Sequence, residues 1–238
     1  MQLPAIAQCR SISRRGTMAA ATLGLAIAAP AEAQKEKAAE DPTKIATKAG
    51  VSYSDELSVS GSVAFGAKFK VNGRVSESGQ WSIGASYLFP VAILTFSAAR
   101  IELDSGVEQT RYSLGGFVPL TELGLDTGKW RLFVPFGYSH TNGKQPSIDI
   151  DQNEGFPTEM SSSSGYVGLF SIRPLNEHIT LLAGGNVTNG TNDFSGYSVG
   201  GGLSYHLSGR DTVGLSGNYI DNSFGQRKRV SVSYRHEF

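Results

Sequence analysis

The chain has almost no cysteine: Cys9 is the only one among 238 residues. A single thiol excludes an intrachain disulfide framework and a zinc site built from several cysteines. No charge sign dominates either, since 21 Lys and Arg residues face 21 Asp and Glu residues. A net charge of zero argues against a nucleic-acid-binding protein. Beyond the N-terminal region there is no run of about 18 apolar residues, which excludes membrane-spanning helices.

The first 33 residues have the layout of a secretory signal peptide. Arg10, Arg14 and Arg15 form a basic region, residues 18–29 are small and apolar, and Ala-Glu-Ala at 31–33 fits a cleavage site. The adjacent arginines give only a weak match to a twin-arginine signal. We therefore predict that residues 1–33 are removed on export, which leaves a mature chain without cysteine.

From residue 57 onward, apolar side chains alternate with small polar ones. The alternation begins in residues 57–69 and recurs at 81–87, 92–103, 112–118, 130–138, 166–172, 179–187, 197–205, 213–219 and 230–234. Successive residues of a strand face opposite sides, so each run predicts a strand with one apolar and one polar face. We predict about ten strands, with eight as the alternative because the 92–103 run is weak. No segment has the period of a helix.

Two arrangements fit such strands: a soluble β-sandwich with one wet face, and a barrel in a membrane. Aromatic residues near the run ends favour the barrel, because such rings settle at lipid headgroups. The runs of about 9–13 residues suit a tilted membrane crossing. Long connections predicted at 70–79, 139–164 and 188–194 alternate with short ones. We predict an all-β, closed, antiparallel, up-and-down transmembrane β-barrel over residues 57–238.

The last nine residues, VSVSYRHEF, resemble the terminal strand of bacterial outer-membrane β-barrel proteins. They alternate in polarity, Tyr234 stands four places before the end, and Phe238 is terminal. The resemblance implies a bacterial outer-membrane location, with outer-membrane lipid and lipopolysaccharide as surroundings. It also implies insertion by the barrel-assembly machinery, which in this class reads the positions held by Tyr234 and Phe238. The match is specific to the class and identifies no subfamily.

Residues 34–56 precede the predicted barrel and are rich in Lys, Glu, Ala, Asp and Ser, without an apolar period. This composition is typical of a solvated segment, so we predict a polar linker on the periplasmic side. A short helix, or a segment that occupies the pore, is the alternative.

Charged residues at inward positions are the candidate pore lining. By strand parity they are Lys68, Arg111, Arg131, Arg229, Arg235 and Glu237, with Arg173 at the same parity. A row of inner arginines could favour anions in a pore. The same charges could instead pair with inner carboxylates and seal the lumen, and the sequence leaves both interpretations open.

The sequence predicts no catalytic residue, no metal site and no cofactor. His140 lacks a recognisable Ser or Asp partner, and residues 149–155 lack the bidentate Glu of a calcium loop. We expect a narrow passive pore or a structural surface barrel. A barrel-embedded enzyme acting on lipid or peptide at the outer rim is the alternative from another class. An adhesin or ligand-binding barrel using residues 139–164 is a further one.

Overall fold

A computed structural model describes residues 37–144 and 159–238. Twelve antiparallel strands in chain order form one closed barrel, in which the first strand pairs with the last. They are β1 (Lys48–Ser54), β2 (Glu56–Phe65), β3 (Phe69–Ser76), β4 (Trp81–Leu88), β5 (Ile93–Glu102), β6 (Glu108–Pro119), β7 (Arg131–Lys144), β8 (Glu159–Pro174), β9 (Ile179–Gly190), β10 (Ser195–His206), β11 (Asp211–Asn222) and β12 (Gly225–Glu237). A 3₁₀ helix, Leu120–Leu123, follows β6. Within the described ranges, no helix is long and apolar enough to span a membrane.

The strand count corrects the sequence prediction: there are twelve strands, so both ten and the alternative of eight are wrong. Strand β1 lies within residues 34–56, so the barrel begins at Lys48 rather than at residue 57. Strand β3 (Phe69–Ser76) occupies most of the connection predicted at residues 70–79, where Asn72-Gly73 is typical of a turn. In the barrel, Asn72 is opposite Gly84 and Gly73 is opposite Ile83. The alternation of apolar and polar residues does not predict either strand, because both are short and carry few large apolar residues.

The two faces of the barrel wall have opposite character. Large apolar side chains of the outer face are exposed, including Leu114 at 60% and Val230 at 70%. Small polar side chains of the inner face, such as Ser139 and Ser164, are buried. A β-sandwich would bury the apolar face between two sheets, whereas here one sheet closes on itself. The sandwich alternative is therefore excluded.

The two ends of the barrel differ in what they carry. The end that holds the entry to β1 and the exit from β12 is called the terminal end. It also carries the connections at residues 66–68, 89–92, 120–130, 175–178 and 207–210. The opposite end, called the loop end, carries the connections at residues 77–80, 103–107, 191–194 and 223–224. Because the strand number is even, the start of β1 and the end of β12 lie at the same end of the barrel.

The wall is not of uniform height. The shortest strand of the β1–β5 group has 7 residues and the longest has 10, whereas β6–β12 have 12 to 16. The last β12 residue paired with β1 is Val232, so the loop-end part of β12 lacks that neighbour. The connection between β5 and β6 supplies one instead: Asp104 N donates to Gln226 O over 2.9 Å. Lys228 N donates to Asp104 Oδ2 over 3.0 Å.

Candidate functional site

Residues 37–47 enter the lumen at the terminal end before the chain joins β1. Thr43 is only 2% exposed and Ile45 only 4%, and Glu40, Asp41 and Lys44 are also buried. A solvated linker would leave these side chains in water. This part of residues 34–56 instead matches the alternative of a segment that occupies the pore, and it is called the plug segment below.

The plug segment contacts inward-facing residues on several sides of the wall. Lys44 Nζ lies 2.7 Å from Glu237 Oε1 on β12, and Arg131 Nη1 on β7 lies 3.9 Å from Asp41 Oδ2. On β3, Lys70 Nζ donates to the main-chain oxygen of Lys44 over 2.7 Å. Since β3, β7 and β12 are not neighbours in the sheet, a segment that touches all three must lie between them. The plug segment is therefore held by charge pairs and hydrogen bonds.

A tight turn shapes the plug segment before it meets the wall. Asp41 Oδ1 accepts hydrogen bonds from Thr43 N over 2.8 Å and from Thr43 Oγ1 over 2.6 Å. Lys44 N donates to Asp41 O over 3.0 Å. An Asp side chain that bonds the backbone two residues ahead forms an Asx-turn, and Pro42 between them restricts the chain further. The sequence Asp-Pro-Thr was a signal of this turn that the composition argument missed.

Glu40 is the least compensated charge of the plug segment. Its side chain is 1% exposed and lies 3.6 Å from His206 Nε2 on β10. Neither carboxylate oxygen accepts a hydrogen bond. The His206 ring also contacts the hydroxyl groups of Thr180 and Thr212, at 3.2 Å and 3.4 Å. His206 is thus held by hydroxyl groups of β9 and β11, whereas the Glu40 carboxylate beside it accepts no hydrogen bond.

An apolar cluster narrows the loop end of the lumen. It consists of Leu103, Val107, Phe194 and Phe224, all buried, with Met160 of β8 packed against them. The ring centres of Phe194 and Phe224 lie 4.9 Å apart. These residues come from three connections on different parts of the rim, so they meet across the opening. The lumen is occupied at one end by a polar segment and at the other by an apolar cluster.

A cavity of about 260 Å³ lies in the wall region between these closures. Its lining comes from inward positions of β5, β6, β8 and β9: Ser97, Ala99, Arg111, Ser113, Tyr166 and Asn186. This space is called the Arg111 chamber. Apart from one alanine, every lining side chain carries a hydrogen-bonding group.

Tyr166 shapes the Arg111 chamber by lying against two glycines of adjacent strands. A Cβ atom placed on Gly115 would lie 2.2 Å from Tyr166 Oη, and one placed on Gly137 would lie 2.6 Å from it. Only glycine leaves room for the phenol ring to lie along the wall instead of across the lumen. Arg111 Cζ lies 5.1 Å from the centre of this ring, which is within cation–π distance.

Arg111 has no carboxylate partner within residues 37–144 and 159–238, and it donates no hydrogen bond there. Its Nε is buried without a partner. Buried polar groups in proteins are nearly always hydrogen-bonded, so a buried Nε without an acceptor is unusual. Arg229 on β12 differs from Arg111: its Nη1 lies 2.8 Å from Asp104 Oδ1, and its Nε lies 3.4 Å from Asp55 Oδ2.

The predicted pore-lining residues occupy mixed positions. Five of them are at inward positions of the strands: Arg111, Arg131, Arg229, Arg235 and Glu237. Lys68 instead lies exposed in the turn after β2, because that strand ends at Phe65. Its place on the wall is taken by Lys70, which belongs to the connection predicted at residues 70–79. Arg173 faces outward, with its Cζ 5.0 Å from the centre of a Trp130 ring.

The two residues of the predicted assembly signal lie at the terminal end. Tyr234 is on the outer face, and its Oη donates to Asp211 Oδ1 over 2.6 Å. Phe238 N donates to Thr47 O over 3.0 Å. The ring of His236, also on the outer face, lies 2.8 Å from Asp211 Oδ1 through its Nδ1. Asp211 thus joins two outward side chains of β12 at the rim.

His140 does not form a catalytic group with described residues. It lies on the outer face of β7, and its Nδ1 is 3.0 Å from Ser163 Oγ on β8. Strands β7 and β8 extend into the predicted 139–164 loop, and the acidic residues at 149–154 lie outside the described residues. In the described part of the chain, no three His, Cys, Asp or Glu side chains are grouped to hold a metal ion.

Comparison with known proteins supports the fold. No family model matches the chain, and no curated protein matches it. The translocator domain of the autotransporter NalP from Neisseria meningitidis is 16% identical with a TM-score of 0.55, covering 81% of this chain and 85% of that one. The KdgM porin in complex with disordered oligogalacturonate is 14% identical with a TM-score of 0.47, covering 82% and 99%. The NanC porin is 12% identical with a TM-score of 0.46, covering 81% and 99%. The predicted resemblance to outer-membrane barrels is confirmed at the level of the fold.

Proposed function

We propose that this chain is an integral protein of a bacterial outer membrane, with the terminal end in the periplasm. The outer face supports this, because exposed Val, Leu and Phe residues cover a closed sheet that leaves no strand edge to lipid. Exposed aromatic rings lie toward the strand ends, as expected at lipid headgroups: Trp81, Tyr87, Tyr197, Tyr205 and Tyr234. The signal peptide over residues 1–33 lies outside the described residues and stays a prediction.

We further propose that the barrel is a narrow passive pore for small solutes, which the plug segment closes from the periplasmic side. The observation that carries this proposal is how the plug segment is held. Its contacts with the wall include ion pairs and hydrogen bonds, which water can replace. Behind it the lumen is polar and contains the unfilled Arg111 chamber.

Conductance of the mature chain in planar bilayers tests the pore proposal. We expect brief, small current steps from residues 34–238, and larger and more frequent steps after deletion of residues 37–47. A variant that replaces residues 37–47 with a Gly-Ser segment of equal length controls for chain length. If neither variant conducts although both insert as folded barrels, the pore proposal is wrong.

A structural surface barrel is the second candidate. The apolar cluster at the loop end favours it, because Leu103, Phe194 and Phe224 are buried together there. The rim-enzyme alternative has no support from the described residues, since His140 faces outward with only Ser163 as a polar partner.

Biogenesis of the barrel is a separate proposal. We propose that the barrel-assembly machinery recognises β12 through Tyr234 and Phe238. Their supporting features are the outward position of Tyr234 and the pairing of β12 with β1, which makes β12 the strand that closes the barrel. Outer-membrane lipid and lipopolysaccharide are the proposed surroundings of the apolar face.

A further inference from the structure

The charges on the inner wall differ in how they are compensated. Arg229 has two carboxylates within 4 Å, Arg131 has Asp41, and Lys44 and Lys48 share Glu237. Arg111 sits in the wall with no carboxylate and no hydrogen-bond acceptor among the described residues. Burying a guanidinium without a partner is unfavourable. Within residues 37–144 and 159–238 nothing accepts from its donors, so they are available to a ligand.

The surroundings of Arg111 have the composition of an anion site. Ser97, Ser113 and Tyr166 can each donate an O–H group, and Asn186 can donate its amide N–H groups. No acidic side chain lines the chamber. An anion in this space would meet one full positive charge and several neutral donors, with no like charge to repel it.

The geometry also restricts the shape of the anion. A guanidinium presents its N–H groups in a planar fork that matches the two oxygens of a carboxylate. The Tyr166 ring covers one side of Arg111 at 5.1 Å, and Gly115 and Gly137 hold that ring against the wall. A volume of about 260 Å³ is near the lower end of the roughly 300–1,000 Å³ range of small-molecule pockets. The chamber therefore suits a compact organic anion rather than a polymer chain.

We propose that the Arg111 chamber is a binding site for small organic carboxylates. Arg111 binds the carboxylate with its guanidinium, and Ser97, Ser113, Tyr166 and Asn186 supply further hydrogen bonds. This inference rests on the proposed pore function for the route by which the solute arrives, and it gives that pore a substrate class. The binding itself does not require conduction.

Equilibrium binding to the folded mature protein in detergent micelles tests the site without measuring transport. The probe is propionate, observed by saturation-transfer NMR, with propionamide as its uncharged counterpart. We expect wild-type protein to bind propionate at least tenfold more tightly than propionamide. Arg111→Gln should abolish that preference, and Arg111→Lys should retain only part of it because a single ammonium replaces the fork.

Two further variants separate the chamber from general charge effects. Arg235→Gln removes an inward arginine of β12 that lies outside the chamber, and we expect it to keep the wild-type preference. Ser113→Asp places a carboxylate on the same strand face as Arg111, two residues away, and we expect it to displace propionate. Arg111→Gln removes an uncompensated buried charge, so it should fold at least as well as wild type.

The outcomes distinguish this inference from the pore proposal. Equal binding of propionate and propionamide, or unchanged binding by Arg111→Gln, would overturn the carboxylate site whether or not the barrel conducts. Selective binding without current steps would uphold the site and contradict the pore. Parallel loss of binding in Arg111→Gln and Arg235→Gln would mean that only the total positive charge matters, and would also overturn the proposed site.

Discussion

Lys44 Nζ lies 2.7 Å from Glu237 Oε1, and Lys48 Nζ lies 3.4 Å from the other oxygen of the same carboxylate. One side chain of the last strand thereby binds both the plug segment and the first strand. Their exposed fractions are 9% for Lys44 and 23% for Glu237, so water screens this pair only in part. The Glu237 carboxylate therefore stabilises both the β1–β12 pair that closes the barrel and the plug segment in its lumen.

Replacing Glu237 with Gln should release the plug segment and weaken the seam between β1 and β12. Removing one member of a buried ion pair costs about 3–5 kcal/mol, and partial exposure here lowers our expectation to about 2 kcal/mol. Urea unfolding in micelles measures this change, and conductance should rise in the same variant. Glu122→Gln, in the exposed 3₁₀ helix at the terminal end, is the matched control. Equal stability of the two variants would contradict the prediction.

Gly137→Ala should destabilise the barrel because the added methyl group collides with the Tyr166 ring and with the neighbouring strand. The new Cβ would lie 2.6 Å from both Gly115 Cα and Tyr166 Oη. Because a backbone atom is among the contacts, we expect a loss of about 1–3 kcal/mol. Thermal unfolding followed by circular dichroism provides the measurement. Gly209→Ala, where a Cβ meets nothing within 4 Å, should leave the melting temperature unchanged.

The connection between β5 and β6 should respond to acid through Asp104. The hydrogen bond from Lys228 N lowers the pKa of Asp104 below its usual value, and the Arg229 guanidinium lowers this pKa further. A depressed carboxyl pKa means that the contact stabilises fully above the unfolded pKa of about 4 and weakens as the pH falls through the lower folded pKa.

Hydrogen exchange of residues 103–107 can follow this acid response between pH 6 and 3, after correction for intrinsic exchange rates. We expect protection to fall at the acid end in wild type. In Asp104→Asn, protection should be low at every pH, because the uncharged amide cannot replace the ionised acceptor. Identical pH profiles in the two proteins would assign the response to another group.

The stability cost of a charge on the outer face should distinguish a barrel in a membrane from one whose outer face contacts water. Val199 is 53% exposed and lies in the middle of β10. In lipid vesicles, Val199→Lys should lose about 2–4 kcal/mol of unfolding free energy, the range for a basic residue near the bilayer midplane. Val199→Leu should change stability little. Equal stability of the two variants in vesicles would mean that this surface does not contact hydrocarbon.

Phe238→Ala should slow assembly in cells more than it weakens the finished barrel. The Phe238 ring packs edge-on against His236 at 4.8 Å, and its main-chain N–H bond to Thr47 does not depend on the side chain. We expect the folded fraction in the outer membrane to fall severalfold, while refolded protein keeps its stability. Val230→Ala on the same outer face is the control. Equal yields from both variants would argue against a recognition role for Phe238.

The sequence predicted the parts of the fold that depend on local alternation. Strands with several large outer residues, such as β10 and β12, were found from their period of two. Strand β1 was missed because Val51 and Tyr53 are its only large apolar residues, and β3 was missed because Asn72-Gly73 is also typical of a turn. Local chemistry supports both conformations of that pair, and only pairing with β2 and β4 decides between them.

The lumen was less predictable because its contacts join distant residues. Arg229 and Asp104 are 125 positions apart, so sequence parity could place the arginine on the inner wall but not identify its partner. Some inner charges of this barrel therefore pair with carboxylates, and at least one does not. Arg229 and Arg131 have carboxylate partners, whereas Arg111 has none within the described ranges.

The short strands β1–β5 also have a consequence for the surrounding bilayer. A strand of 8 residues rises about 26 Å along its own axis, and a tilt near 40° reduces its vertical span to about 20 Å. That is less than the apolar band of about 25 Å on outer-membrane barrels, whereas β7 and β8 are long enough to cross it. This hydrophobic mismatch affects one flank of the barrel. It is relieved when the adjacent bilayer becomes thinner or when the barrel tilts toward that flank. The protein would then deform its membrane asymmetrically, with the compressed lipid located beside β1–β5.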